Sequence, residues 1–122
     1  MKTILIVDDA PALLSLVSTV VQSAKHASFQ ANCGEAALEL LKRIPELDAL
    51  ITDIRMPGMN GFALAHAVRI AKPKIPILFI SGYFDSDEQD HMQWIAESRV
   101  SFLPKPFLPA KLLHELNSLL LT

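Results

Sequence analysis

Five side chains of this sequence could do chemistry on a metal ion or an anion: Asp8, Asp9, Asp53, Ser81 and Lys105. Each follows a short apolar run. Asp8 and Asp9 follow Thr3-Ile4-Leu5-Ile6-Val7, Asp53 follows Ala49 to Thr52, Ser81 follows Ile75 to Ile80, and Lys105 comes soon after Val100 to Leu103. Three carboxylates gathered together repel one another by about 4 kcal/mol per pair at about 4 Å and an effective dielectric of about 20. Such a group needs counter-charge. One Mg²⁺ and the Lys105 ammonium supply +3 against −3, so the set is neutral only with both. Oxygen-only ligands on an open edge suit Mg²⁺, which keeps several waters and often binds substrate phosphate. A carboxylate can also act as a nucleophile on phosphorus and form an acyl phosphate. Transfer of a phosphoryl group needs mainly in-line positioning and neutralisation of its equatorial oxygens. Mg²⁺ can take one oxygen, Lys105 a second, and the Ser81 hydroxyl with the Gly82 backbone N–H the third.

For these groups to meet, the runs before them must be neighbouring strands. Thr3 to Val7 is β-branched and apolar at nearly every position, as in a parallel strand covered on both faces. Pro11 opens a helix at a tolerated first-turn position, and Leu13, Leu16, Val17, Val20, Val21 and Ala24 form its apolar stripe. Ser28 to Asn32 reads as a weaker second strand. Glu35 to Ile44 reads as a helix ended by Pro45, and Ala49 to Thr52 as a third strand. Met56-Pro57-Gly58-Met59-Asn60-Gly61 is a loop by composition, followed by a helix over Phe62 to Ala71. Ile75 to Ile80 is a fourth strand, Ser86 to Glu97 a polar helix, Val100 to Leu103 a fifth strand, and Pro109 to Leu120 a final helix. This alternation predicts an α/β fold, a doubly wound parallel sheet with helices on both faces and right-handed crossovers. In such sheets ligands bind outside the carboxyl ends of the strands, where the acids, Ser81 and Lys105 would stand.

The 122 residues suffice for one domain, expected over 1–122. The net charge of −2 leaves no global basic field to draw nucleic acid, and none is expected to bind directly. The single cysteine, Cys33, forms no internal disulfide and fits a reducing, cytoplasmic setting. No run approaches the roughly 18 apolar residues that span a bilayer, so no membrane insertion is expected.

The segments ILIVDD, LITDIRMPGMNG, ILFISGY and FLPKPF resemble, in order and spacing, the response-regulator receiver family of two-component signalling. The resemblance covers nearly the whole chain. It implies a flavodoxin-like fold with strand order 2-1-3-4-5. It implies that Asp53 is the phosphoacceptor, that Asp8 and Asp9 hold Mg²⁺ together with Asp53, and that the Arg55 carbonyl completes the metal ligands. Ser81 matches the switch hydroxyl, Lys105 the phosphate-binding lysine with a cis bond to Pro106, and Phe102 the aromatic switch residue. Phe102 lacks the hydroxyl of a tyrosine. Arg55 and Tyr83 occupy the positions that influence hydrolysis in the family, and their size favours a long-lived phosphoryl group. The implied partners are a sensor histidine kinase or phosphotransfer protein and a downstream protein that reads the predicted helix Ser86 to Glu97, the fifth strand and the final helix. A phosphorylation-dependent homodimer is a further expected form. The chain is either a stand-alone regulator or a receiver cut from a larger protein; SGY and KPF resemble receivers of hybrid histidine kinases. On this reading it is no enzyme beyond self-catalysed phosphoryl transfer and slow autodephosphorylation.

Other readings are weaker. An aspartyl phosphatase typically carries a second Asp two residues after the nucleophile, where this chain has Arg55. A flavin module would need a Ser/Thr/Gly-rich loop after the first strand. A binding module that has lost phosphorylation would not retain the full acidic set and Lys105. His26, His66, His91 and His114 lack metal-ligand spacing and are expected to be exposed. Trp94 falls off the Met92/Ile95 stripe, as a partner anchor or as a partly buried ring. Asp85, Asp87, Glu88 and Asp90 suit a helix N-terminus through its dipole.

Overall fold

The computed structural model describes residues 1–82 and 93–121. Tyr83, Asp85, Asp87, Glu88, Asp90, His91, Met92 and most of the predicted helix Ser86 to Glu97 lie outside the described residues; residues 93–95 are helical. The described elements are β1 (Thr3–Val7), α1 (Pro11–Ser23), β2 (Ala27–Ala31), α2 (Gly34–Leu41), β3 (Ala49–Asp53), α3 (Gly61–Ala71), β4 (Ile77–Ser81), β5 (Val100–Pro104) and α4 (Pro109–Leu120). All five strands pair in parallel in the order β2-β1-β3-β4-β5, as expected.

Side chains alternate across a strand, so the apolar runs feed two layers. Leu5, Val7, Leu50, Ile77 and Phe79 face α2 and α3, where Ala37, Phe62, Leu64 and Val68 meet them. Ile4, Ile6, Ile51, Leu78 and Ile80 join Val17, Val20 and Val21 of α1 and Leu112, Leu116 and Leu119 of α4. Burial on both faces is why β1, β3 and β4 read as near-continuous apolar runs.

Helix starts follow local chemistry. Pro11 and Pro109 stand at the starts of α1 and α4, where a missing N–H costs nothing. Asn60 Oδ1 accepts the Ala63 N–H at 2.9 Å and caps α3. Cys33 Sγ accepts the Ala36 N–H at 3.4 Å, so the lone cysteine caps α2. Two differences from the sequence expectation have a local cause. Helix α2 ends at Leu41 rather than Ile44, and Arg43 and Ile44 continue only in three-residue turns; the residue before a proline is pushed out of the helical region. Strand β4 begins at Ile77 rather than Ile75, because Pro76 has no N–H to give the ladder. Leu16, predicted on the α1 stripe, is 41% exposed. No helix among the described residues is long and apolar enough to cross a membrane.

Trp94 is a core residue, 2% exposed. Its ring meets Phe79 at 5.3 Å between centroids and His66 at 4.7 Å, and the Arg69 guanidinium lies 5.3 Å above it. Arg69 also donates to the carbonyls of Ile75 and Ser98, tying α3 to the approach of β5. Of the histidines, His66 and His114 are exposed, whereas His26 is half-buried and its Nδ1 accepts the Lys2 N–H at 3.1 Å. Because Trp94 fills the space beside Phe79, Trp94→Ala is expected to cost about 3–5 kcal/mol. Urea unfolding followed by circular dichroism measures this, and a loss below about 1 kcal/mol would place the indole outside the cooperative core.

Candidate functional site

Strand register brings the acids together. Val7 pairs with Thr52 across β1 and β3, so the next residues of the two strands, Asp8 and Asp53, emerge side by side at the carboxyl edge. Asp8 and Asp53 are buried, at 1% and 3% exposure, while Asp9 is exposed. One carboxylate oxygen from each of the three lies within 4.8 Å of the others. On the other side of β3, Asp53 pairs with Ile80, which sets Ser81 and Gly82 one and two residues further along the neighbouring strand. Ser81 in turn pairs with Pro104 of β5, and Lys105 follows at once. The Lys105 N–H donates to the Ser81 carbonyl at 2.7 Å, and the Lys105–Pro106 peptide is cis.

Individual atoms show how the charges are held. Asp53 Oδ1 accepts the Ile54 N–H at 2.9 Å and faces the Lys105 ammonium at 3.2 Å. Asp8 Oδ1 accepts the Ala10 N–H at 2.8 Å. Asp8 Oδ2 is buried with no hydrogen-bond partner among the described residues. Burial is the main cause that raises the Asp8 carboxyl above its ordinary value of 3.8, and the Asp53 and Asp9 charges add to it. The Ala10 N–H and the Lys105 ammonium pull the other way without cancelling the rise. Lys105 alone therefore leaves the cluster short of positive charge. An orphaned buried oxygen in an all-carboxylate set fits a hard divalent cation, and Asp8, Asp9 and Asp53 could hold one.

Other predicted residues fall around this centre. Arg55 is exposed in the loop after β3. Phe102 is half-buried on β5 and stacks on Phe79 at 5.1 Å, which leads on to Trp94. Two neighbours of Asp53 were not singled out from sequence. Thr52, fully buried, donates its Oγ1 hydroxyl to the Asp53 carbonyl at 2.9 Å. Gly61, the first residue of α3, lies so close that a Cβ there would fall 2.1 Å from the Asp53 carbonyl oxygen and 2.9 Å from Ile54 Cα. The sequence carries no local signal of this approach, because Gly61 closes a loop read from its Pro, Gly and Asn content.

Removing the buried Asp8 charge should relieve repulsion, so Asp8→Asn is expected to stabilise the metal-free protein by about 1 kcal/mol. That is a rise of about 3–6 °C in melting temperature. The sign with pH follows. A raised folded pKa means that Asp8 supports the fold fully below 3.8 and loses that support as pH rises through the folded value. Melting curves of protein and variant in a chelator should therefore coincide at low pH and diverge near neutrality, with the variant higher. Equal melting temperatures at pH 7 would contradict a strained acidic cluster.

The profile of the response regulator receiver domain family matches residues 4–117. The autoinducer 1 sensor kinase/phosphatase LuxN of Vibrio harveyi is 34% identical over 116 residues, covering 95% of this chain and 13% of that protein. The sensor kinase CckA of Brucella abortus is 32% identical over 106 residues, covering 86% of this chain and 11% of that protein. The chain thus spans only a small part of these relatives. Among solved structures, the chemotaxis response regulator CheY4 of Vibrio cholerae superposes with a TM-score of 0.83 at 31% identity, covering 98% of each chain. An open parallel sheet of this strand order, with its acids and lysine at one edge, marks a chain that belongs to the response regulator receiver domain family of two-component signalling.

Proposed function

We propose that the chain is a single receiver unit in which Asp53 accepts a phosphoryl group from a histidine kinase or phosphotransfer protein. One observation carries the reading: Asp53 Oδ1 faces Lys105 at 3.2 Å while Asp53 shares a 4.8 Å cluster with Asp8 and Asp9. A carboxylate oxygen of Asp53 attacks phosphorus in line. The bond from phosphorus to the donor's nitrogen breaks, its electron pair stays on the imidazole, and Asp53 becomes an acyl phosphate.

Asp8, Asp9 and Asp53, with the Arg55 carbonyl, would hold Mg²⁺, which when bound neutralises carboxylate and phosphoryl oxygens together. Lys105 receives a second phosphoryl oxygen, so that its ammonium is shared between that oxygen and Asp53. The Ser81 hydroxyl and the Gly82 N–H receive the third. Lys105 already stands beside Asp53, so its charge needs little reorganisation as the phosphoryl group arrives. Attack of water on the acyl phosphate later releases inorganic phosphate. Arg55, exposed beside the acceptor, would crowd that water and lengthen the phosphoryl lifetime.

Phosphorylation would act as a switch by favouring one conformer over another. Phe102 connects to this because it stands on β5, three residues before Lys105, and its ring shares the core with Phe79. The surface read by a partner would include β5 and α4, and Leu108, just before α4, is 74% exposed. The resemblance to sensor kinases supports a kinase or phosphotransfer protein as donor, and an output protein as reader. A cytoplasmic setting and a phosphorylation-dependent homodimer belong to the same reading.

Incubation with acetyl phosphate and Mg²⁺ should add the mass of one phosphoryl group to the intact chain. Asp53→Asn and a chelator should each abolish the gain, and Lys105→Ala should slow it about 100-fold. An unchanged mass for the wild-type chain, or a full gain in Asp53→Asn, would remove the phosphoacceptor reading.

A further inference from the structure

The acceptor carboxylate depends on its own peptide unit. Asp53 Oδ1 takes the N–H of Ile54, so the plane of the Asp53–Ile54 peptide sets where that oxygen points. Three contacts fix this peptide, one of them from its Ile54 N–H to the Ile80 carbonyl of β4 at 3.3 Å, and a further bond fixes the next peptide. The Thr52 hydroxyl donates to its carbonyl oxygen at 2.9 Å. The start of α3 lies against the same carbonyl at Gly61, where no Cβ would fit. The Gly61 N–H also donates to the Ile54 carbonyl at 2.8 Å, which holds α3 to the residue after the acceptor. Thr52 itself lies in the apolar layer between β3 and α3, with Val7 and Phe79 as its strand neighbours. A hydroxyl there would carry a desolvation cost without its bond to Asp53. Valine would have nearly the same shape and no such cost, so packing alone does not call for threonine.

We propose that Thr52 and Gly61 are positioning residues for phosphoryl acceptance, which hold the Asp53–Ile54 peptide so that the carboxylate keeps its place beside Lys105, Asp8 and Asp9. The proposal rests on the phosphoacceptor reading above for its rate effects, and on geometry alone for its effect on the carboxylate. Thr52 acts by a hydrogen bond and Gly61 by close approach, so two variants test it independently. Thr52→Val keeps shape and removes the bond. Gly61→Ala forces the Asp53 peptide or the start of α3 to move.

The rate of phosphoryl uptake at saturating acetyl phosphate and Mg²⁺ is the first readout. Thr52→Val should fall about tenfold and Gly61→Ala about 100-fold, the scale of a misplacement near 1 Å. Thr52→Ser, which keeps the hydroxyl, should return to within about twofold of wild type. The second readout is the Ile54 amide resonance, with the Mg²⁺ dissociation constant from titration. Both should change in Thr52→Val and recover in Thr52→Ser, whereas a role in stability alone would leave them unmoved. Gly34→Ala is the steric control, because the nearest atoms to its Cβ belong to the Met59 side chain and not to the Asp53 peptide, and its uptake rate should stay at the wild-type value. If one variant fails to unfold cooperatively, the other carries the test. Wild-type rates, Ile54 shift and Mg²⁺ affinity in a folded Thr52→Val or Gly61→Ala overturn the proposal. A wild-type chain that takes up no phosphoryl group instead overturns the acceptor reading, and the Ile54 shift and Mg²⁺ affinity still decide the positioning role.

Discussion

The constraint on which the rest of this structure depends is the crowding of Asp8, Asp9 and Asp53 at one edge of the sheet. Each carboxylate would be at ease in water. Two of them are buried, and one oxygen of Asp8 has no partner among the described residues. The cluster exists because β1 and β3 are adjacent and in a register that carries their acids out together. Lys105 relieves part of the repulsion from β5, across the intervening β4. Its ammonium supplies one positive charge where three negative charges meet. That deficit suits a divalent cation, which the three carboxylates could hold.

Such a cluster needs a stiff support. The strands that carry it are apolar on both faces, and helices seal the two layers. Apolar burial does not depend on the state of the carboxylates, so the fold can hold unfavourable charge without coming apart. Phe79 has a particular place in this platform. It touches Phe62, Phe102 and Trp94 with centroid distances of 5.1, 5.1 and 5.3 Å. A ring movement at Phe102 would thus be felt at once by the layer that packs α3, because interiors this dense have little slack.

Much of this was legible in the sequence, because the signals were local. Apolar runs ending in acids, a hydroxyl and a lysine identified strands and site together, and Pro11 and Pro109 marked helix starts. The strand order came from resemblance, since the alternation of elements alone does not say which strands are neighbours. What escaped notice depends on contacts between distant segments. Trp94 looked like a ring off the stripe of a polar helix, yet Phe79 and Arg69 bury it from other elements. Leu16 matched a helical stripe, but the stripe is wider than the surface α1 covers. Thr52 was one more β-branched residue in a strand. Gly61 was one more glycine in a loop, because nothing local reports a backbone oxygen waiting where its side chain would be.

Local rules of sequence and structure agree over most of the chain, and their disagreements gather at one place. A carboxyl is buried without a full set of partners at Asp8, a hydroxyl stands in an apolar layer at Thr52, and a glycine begins a helix at Gly61. Each is a misfit for stability alone. All three surround Asp53, and the last two contact its peptide directly. Sequences that fold well keep local preference and global structure in agreement, and depart from it where function demands. The departures here have one common consequence, which is a carboxylate fixed in position and short of positive charge. Position without the charge deficit would make a structural ion pair, and the deficit without fixed position would make a flexible acidic patch. Only their combination suits the nucleophile of the proposed phosphoryl transfer.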